Sequence, residues 1–303
     1  MSTRQEDRRL ALGAVVIAVM WAVGCGGGGV TRPTPISEEP PSVAPVMPTR
    51  YVGAFAASRD VPEAAANGGN AVLVVPTYSE SAELVRNALL ANGKVAIVSA
   101  HHVFGGPRDA WGVEPTIEAQ SKAGPRAFAM GPRGHQVSAL SVGGWQRTVA
   151  WMKPIQDAGL LAGVYVVDEP LGNGISAETR DEAISIVASA GYTTIVGEWI
   201  DRAKKADRAP SDLYGVTCYD WPGLGGWRMD RCEEAYRSHP EWDLVIGQAY
   251  DLHPRNGTPA EQLRRWVDLS QDRDGVIFWV WAWDGQTGIR DAYLAEYNAV
   301  VGR

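Results

Sequence analysis

The sequence is poor in cysteine, in clusters of positive charge and in long apolar runs. Only three of its 303 residues are cysteines. No Lys/Arg cluster or basic stripe appears, which argues against nucleic acid as a partner. The apolar run from Leu10 to Val23 is too short to span a membrane. Because 45% of the residues are hydrophobic, the chain can still bury the core of one large domain or two small ones.

Several catalytic motifs are missing as well. No Gly-x-Ser-x-Gly elbow supports catalysis by serine, and no His-x-His or His-x-x-x-His spacing supports a metal site. No Gly-rich phosphate loop follows the first apolar run, although an open doubly wound sheet usually has one there. We therefore expect no metal and no cofactor.

The N-terminal residues have the pattern of a secretory signal. Three arginines precede the apolar run, and small residues follow it before Cys25. The Ala-Val-Gly-Cys sequence that ends at Cys25 resembles a bacterial lipobox, with Ala22 where Leu is usual. This resemblance implies that the Cys25 thiol is lipidated after cleavage. The alternative is an ordinary signal peptide that contains a chance cysteine.

The next residues favour the lipoprotein interpretation. Gly26 to Gly29 and a Pro/Ser/Thr-rich stretch to Thr49 are typical of a flexible tether. We therefore expect a signal peptide over 1–24, a tether over 25–50 and a folded domain over 51–303. The protein would be exported and lipid-anchored to the bacterial cell envelope. In an oxidising compartment Cys218 and Cys232 could pair, or they could remain buried thiols.

Apolar runs alternate with helical patterns from Tyr51 onward. Eight strand–helix repeats in roughly 250 residues predict an α/β fold, a single-domain (β/α)8 TIM barrel. The Gly/Pro-rich segment 104–144 is either a functional loop or contains short elements. The predicted strands cover residues 51–58, 70–77, 94–103, 160–170, 192–199, 213–221, 243–251 and 275–284.

The fourth predicted strand ends in two carboxylates. Its apolar run is typical of a buried parallel strand, and Pro170 ends it because proline lacks the N–H that a strand ladder needs. Asp168 and Glu169 therefore lie at its C-terminal end, where barrel enzymes place their chemistry. Alternatively, the two acids could cap the next helix or bind a neighbouring arginine.

The other strand ends carry carboxylates and aromatic rings that would meet at the same rim. One carboxylic acid can protonate a glycosidic oxygen, a second carboxylate can attack or activate water, and indole faces can stack on sugar rings. This mixture favours a carbohydrate substrate. The residues at these ends are His101 and His102; Glu198 and Trp199; Tyr219, Asp220 and Trp221; Gln248, Tyr250 and Asp251; and Trp283 and Asp284.

The chain resembles the (β/α)8 glycoside hydrolases. The sequence Asp168-Glu169-Pro170 is similar to the Asn-Glu-Pro of clan A enzymes, whose Glu is the acid/base, so the resemblance implies that role for Glu169. Clan A also has a nucleophilic Glu after its seventh strand, where this chain has Gln248 and Asp251. The stretches 218–221 and 278–279 are similar to chitinase-like family 18 enzymes, but Val164 and Val166 replace two Asp residues of that family's fourth-strand motif.

We therefore predict a lipid-anchored glycoside hydrolase that acts on a poly- or oligosaccharide. Glu169 would be the general acid, with a pKa raised by burial and by Asp168, and Asp220 the first choice for base or nucleophile. Whether the enzyme retains or inverts depends on the separation of the carboxyls. The residues predicted to bind substrate are Trp199, Tyr219, Tyr250, Trp283, Glu198, Asp251 and His101.

Two alternative functions stay open. The protein could be a non-catalytic carbohydrate-binding or scaffold lipoprotein on a degenerate glycosidase barrel. It could also be a metal-dependent hydrolase that uses His101 or His102. Individual acids have local alternatives too, such as an ion pair between Glu198 and Arg202, four residues on.

Overall fold

Residues 46–76, 80–105, 128–130, 135–137, 144–218, 229–248, 257–279 and 287–302 are described by a computed structural model of the chain. All of these residues lie in one compact unit, Ser42–Arg303. Within the described residues, no helix is long and apolar enough to cross a membrane.

Eight parallel strands close into a barrel, with helices between successive strands, so the predicted (β/α)8 fold is confirmed. Around the barrel the order is β1-β10-β9-β8-β7-β6-β3-β2, and a separate antiparallel hairpin pairs β4 with β5. The strands are β1 (Tyr51–Ala57), β2 (Ala71–Val75), β3 (Val95–Ser99), β4 (Phe128–Met130), β5 (His135–Val137), β6 (Leu161–Asp168), β7 (Thr194–Trp199), β8 (Leu213–Cys218), β9 (Leu244–Gln248) and β10 (Gly275–Trp279).

The described helices follow the predicted pattern. They are α1 (Val61–Ala66), α2 (Ala82–Ala91), α3 (His101–Phe104), α4 (Gly144–Asp157), α5 (Ala177–Ser189), α6 (Ile200–Ala203), α7 (Met229–Ser238), α8 (Pro259–Leu269) and α9 (Thr287–Val301). The start of α8 is a capping box, in which Thr258 and Glu261 each bond the other's backbone N–H, and Pro259 occupies the first turn.

Two apolar layers stabilise the barrel. The inner cluster consists of strand residues alone, among them Phe55, Tyr165 and Ile246, so it fills the barrel interior. A larger cluster joins the outer strand faces to the helices. Because both faces of these strands are buried, their sequences are continuous hydrophobic runs.

The prediction for the third strand was wrong at its end. Residues 94–103 were expected to be extended, with both histidines at the tip, but β3 ends at Ser99 and His101 begins α3. The chain turns at Ala100, whose carbonyl accepts bonds from the N–H groups of Val103 and Phe104. Short elements do occur within 104–144, namely the hairpin of β4 and β5.

Cys218 and Cys232 form a disulfide, with their Cα atoms 6.0 Å apart. The bond joins the end of β8 to α7. This decides between the two states that the sequence left open for these cysteines.

Candidate active site

The end of β6 carries a register shift that places two polar side chains on one face. Along β7, Tyr165 pairs with Ile195 and Asp168 pairs with Gly197, and the shift lies between Tyr165 and Val167. Residues three apart on a regular strand face opposite sides, but the extra residue turns Asp168 to the interior face that Tyr165 occupies. The Tyr165 hydroxyl therefore donates to Asp168 Oδ1 at 2.6 Å.

Asp168 is held by its backbone as well as by its carboxylate. Its N–H donates to Nδ1 of His101 at 3.0 Å, and its carbonyl accepts from Nδ2 of Asn173 at 3.0 Å. Burial raises the pKa of the Asp168 carboxyl to about 6; the Tyr165 hydroxyl acts against this rise and the nearby Glu198 charge adds to it. The side chain can therefore change protonation near neutral pH.

Burial lowers the pKa of the His101 imidazole to about 4. The ring is therefore neutral at pH 7, and because Nδ1 accepts the Asp168 N–H, the ring proton is assigned to Nε2.

Glu169 adopts a strained backbone conformation. Its φ of +44° makes it the one non-glycine residue with positive φ in the described ranges. A left-handed conformation at such a residue costs about 1–3 kcal/mol, and a following proline disfavours helical backbone further. The observed strain is a reason to suspect function at this position.

The Glu169 side chain is buried and reaches β8. It is 6% exposed, and Oε1 accepts a hydrogen bond of 2.6 Å from the buried Thr217 hydroxyl. The same hydroxyl lies 3.2 Å from the backbone oxygen of Glu198. On the backbone side, the Glu169 N–H donates to the Gly197 carbonyl at 2.7 Å. Directly after β6, Glu169 is thus fixed to β7 through its backbone and to β8 through its carboxyl.

Glu198 lies in β7 and is completely buried. Oε2 accepts the N–H of Leu171 at 2.9 Å; Oε1 accepts those of Gly172 at 3.3 Å and Trp199 at 2.8 Å. Burial raises the pKa of this carboxyl, the three backbone bonds act against the rise, and the Glu169 charge adds to it. The ion pair with Arg202 is not among those of the described residues.

A glycine leaves space for the Tyr165 side chain. A Cβ on Gly197 would overlap the Tyr165 hydroxyl and lie 2.8 Å from Cδ1 of Ile246. The Tyr165 ring also packs edge-on against Phe55, with centroids 5.8 Å apart. The missing side chain at Gly197 thus admits the hydroxyl that binds Asp168.

The structure brings together four of the residues predicted for the site: His101, Asp168, Glu169 and Glu198 contact one another directly or through the turn after Glu169. Trp199, half-buried, ends β7 beside them. The other predicted residues lie outside the described ones: Tyr219, Asp220, Tyr250, Asp251, Trp283 and the lipidation residue Cys25.

Sequence reasoning missed Thr217 and Tyr165. Each carries one hydroxyl within an otherwise apolar strand, and neither belongs to a recognisable motif. Period-two alternation could have placed Thr217 on the inner face of its strand, but its partner depends on a strand register that the sequence does not reveal.

The described ranges contain no group of three or more His, Cys, Asp or Glu side chains that could hold a metal ion.

No protein-family model matches the sequence, and no curated protein matches it. Solved structures with a similar fold have diverse activities. The GH18 chitinase ChiB from the chitin utilization locus of Flavobacterium johnsoniae is 10% identical, with 82% of this chain and 94% of that chain covered and a TM-score of 0.44. The orotidine 5'-monophosphate decarboxylase of Methanocaldococcus jannaschii is 12% identical, with coverages of 84% and 100% and a TM-score of 0.43.

A GH10 xylanase of Thermobacillus composti is 14% identical, with 80% of this chain and 88% of that chain covered and a TM-score of 0.42. Because hydrolases and a decarboxylase match at similar scores, the likeness assigns no activity to this chain.

Proposed function

We propose that this protein is a glycoside hydrolase that acts on a poly- or oligosaccharide, with Glu169 as its general acid. The observation that carries the proposal is the Glu169 carboxyl itself. The Glu169 side chain is buried and its backbone is strained at the C-terminal end of a barrel strand, and the Thr217 hydroxyl binds the carboxyl at 2.6 Å. Catalytic groups of barrel enzymes lie at this end of the strands.

The proposed reaction needs a proton donor and a second carboxylate. Glu169 gives its proton to the glycosidic oxygen while the bond from that oxygen to the anomeric carbon breaks. A second carboxylate either takes a proton from the attacking water or bonds to the anomeric carbon first. Asp220 remains the first choice for this group. Asp168 is held beside Glu169 and contributes a second titratable carboxyl to the rim.

The binding residues that we propose belong to the ends of barrel strands or follow them in the sequence. Trp199 is half-buried at the end of β7 and offers an indole face next to the Glu169 turn. Tyr219, Tyr250, Asp251 and Trp283 follow the ends of neighbouring strands.

His101 and Glu198 are bound to backbone groups, which supports positioning roles for them more than direct contact with a sugar.

Export and anchoring are part of the proposal. The signal over 1–24 would deliver the chain, and lipidation at Cys25 would hold it on the cell envelope through the tether 25–50. Disulfides persist in oxidising compartments, so the Cys218–Cys232 bond agrees with an exported protein.

Glu169→Gln tests the proposed acid. The amide keeps the shape of the side chain but has no proton to transfer, so hydrolysis should fall by about 10²- to 10⁴-fold. The measurement is the release of reducing ends from a panel of polysaccharides. Glu178→Gln, an exposed change in the first turn of α5, is the matched control and should leave the rate unchanged. Equal rates for Glu169→Gln and the wild type would remove Glu169 from the role.

A non-catalytic carbohydrate-binding protein is the second candidate, favoured by one observation. Strand β9 ends in Gln248, where the clan A pattern has its nucleophilic Glu. In that case the wild type binds a polysaccharide in the panel but releases no reducing ends, and Glu169→Gln leaves the binding affinity unchanged.

A further inference from the structure

Glu198 is a buried carboxylate that bonds to backbone instead of to a cation. It is completely buried, and no ion pair with it occurs among the residues described. A buried carboxylate is costly unless hydrogen bonds compensate it. Here the N–H groups of Leu171, Gly172 and Trp199 supply that compensation.

Two of these N–H groups belong to the turn that Glu169 begins. The Asn173 N–H donates to the Glu169 carbonyl at 2.8 Å, and Ile175 N–H donates to the Pro170 carbonyl at 2.8 Å. Leu171 and Gly172 lie inside this turn, and their own N–H groups point to Glu198. The turn is therefore closed by its own backbone and fixed to β7 by one side chain.

The strained residue is thus held on both sides. Before it, the ladder bond from its N–H to the Gly197 carbonyl fixes Glu169 to β7. After it, the bonds to Glu198 fix the turn to the same strand. A residue persists in a sparsely populated conformation only where its surroundings over-determine it.

The geometry points to Glu198 as a positioning residue, whose carboxylate holds the turn after Glu169 so that Glu169 stays left-handed and its own carboxyl reaches Thr217. The inference rests on the proposed function only for the reaction of Glu169. The positioning of Glu169 by Glu198 does not depend on that reaction. It differs from the role in substrate binding expected for Glu198 from sequence.

The charge of Glu198 has a second effect on the rim. It raises the pKa of Asp168, whereas the charge of Glu169 raises the pKa of Glu198. Among the described residues, three other titratable groups interact with Asp168 or Glu198, namely His101, which accepts the Asp168 N–H, and Tyr165 and Tyr214. Shape and charge can be separated, because Asp keeps the charge of Glu198 but is one methylene shorter, and Gln keeps the length but is neutral.

Hydrogen exchange at the turn is the first test. In Glu198→Asp and Glu198→Gln, exchange of the Leu171 and Gly172 amides should accelerate by about tenfold or more, because each loses a bond to a charged acceptor. Glu83→Gln, an exposed change on α2, is the matched control. Unchanged exchange at both amides in both Glu198 variants overturns the inference.

Carboxyl titration is the second test, and a simple loss of stability would not reproduce its pattern. With ¹³C-labelled Asp, and Asp168→Asn for assignment, the Asp168 midpoint should fall below about 6 in Glu198→Gln. It should fall less in Glu198→Asp, where the negative charge remains. Equal midpoints in the wild type and Glu198→Gln contradict the close placement of these two acids.

If the Glu198 variants do not fold, variants of Thr217 can be used, because they leave the bonds from Leu171 and Gly172 to Glu198 intact. Thr217→Val should change the ¹³C carboxyl signal of Glu169 without accelerating exchange at Leu171 and Gly172, and Thr217→Ser should restore that signal. If Thr217→Val accelerated this exchange as much as Glu198→Gln does, Thr217 and not Glu198 would be the residue that holds the turn.

Failure of the proposed function is distinguishable from failure of this inference. If the wild type hydrolyses no polysaccharide, the exchange and titration results still decide the role of Glu198. If it does hydrolyse one, Glu198→Gln should lower kcat with little change in KM, since the substrate contacts remain. An unchanged kcat would overturn the positioning role while leaving Glu169 as the acid.

Discussion

Asp168 is a carboxyl whose charged form is disfavoured by the fold. Its folded pKa of about 6 exceeds the ordinary value of 3.8, so between these pH values the folded state binds more protons than the unfolded state. The free energy of unfolding therefore falls as the pH rises from 3.8 to 6, and it stays lower above that window. Residues whose pKa is shifted by burial in this way are typical of functional sites.

Asp168→Asn should accordingly stabilise the protein at neutral pH. The amide oxygen can still accept the Tyr165 hydroxyl, and the cost of the buried charge disappears, so the unfolding free energy at pH 7 should rise by up to about 3 kcal/mol. Urea denaturation at pH 7 and pH 3.5 measures this, and the gain should vanish at the lower pH. The exposed Asp207→Asn is the control. A variant less stable than the wild type at pH 7 contradicts the raised pKa.

The sequence predicted the acids at the end of β6 but not what fixes them. Asp168 and Glu169 could be found because a buried apolar run that stops at Pro170 leaves them at a strand end. The anchoring role of Glu198 could not, because its partners Leu171 and Gly172 are 27 and 26 residues away and offer only backbone groups. Contacts of this kind follow from register and turn geometry, which no residue pattern records.

Helices and strands were predictable where hydrophobic periodicity was strong. All eight barrel strands lie within their predicted ranges, because buried parallel strands are apolar on both faces. The end of β3 was mispredicted because the apolar residues Ala100 and Val103 extend the hydrophobic pattern past Ser99 while the backbone turns into α3. Local hydrogen bonding, and not composition, ended this strand.

The contact between Gly197 and the Tyr165 hydroxyl is a packing requirement between β6 and β7. Gly197→Ala would place a methyl group onto the Tyr165 hydroxyl and 2.8 Å from Cδ1 of Ile246. We expect a loss of about 1–3 kcal/mol in unfolding free energy from this overpacking. Displacement of the hydroxyl should also weaken its bond to Asp168.

A double-mutant cycle tests whether the overlap is the cause. Tyr165→Phe removes the hydroxyl, so Gly197→Ala should cost less in that background than in the wild type, and thermal or urea denaturation of all four proteins gives the coupling energy. Additive effects would show that Gly197 is required for a reason other than the Tyr165 hydroxyl.

The candidate site and the groups that hold loops and helix ends lie at opposite ends of the barrel strands. The residues just before the strands hold loops and helix ends: Arg50 binds the carbonyls of Val267 and Ser270, Arg273 binds that of Tyr236, and Lys94 binds that of Gly68. The strained Glu169 turn lies at the other end. In (β/α)8 barrels generally, the N-terminal ends of the strands serve stability, and active sites lie at the C-terminal ends.

The disulfide between Cys218 and Cys232 should affect both the stability of the whole molecule and the candidate site. It closes a loop with a sequence separation of 14, and in the chain-entropy account a loop of this size contributes about 3 kcal/mol to stability. Reduction should therefore lower the urea midpoint of the wild type. Cys218→Ser combined with Cys232→Ser should show the lowered midpoint without reductant and no further response to it.

The same bond should also affect Glu169, because Cys218 directly follows Thr217. Once β8 is released from α7, the Thr217 hydroxyl should hold the Glu169 carboxyl less firmly, and the ¹³C signal of that carboxyl should shift on reduction. Under conditions where the protein stays folded, a stable Glu169 signal would mean that the barrel alone fixes Thr217 and that the disulfide serves stability only.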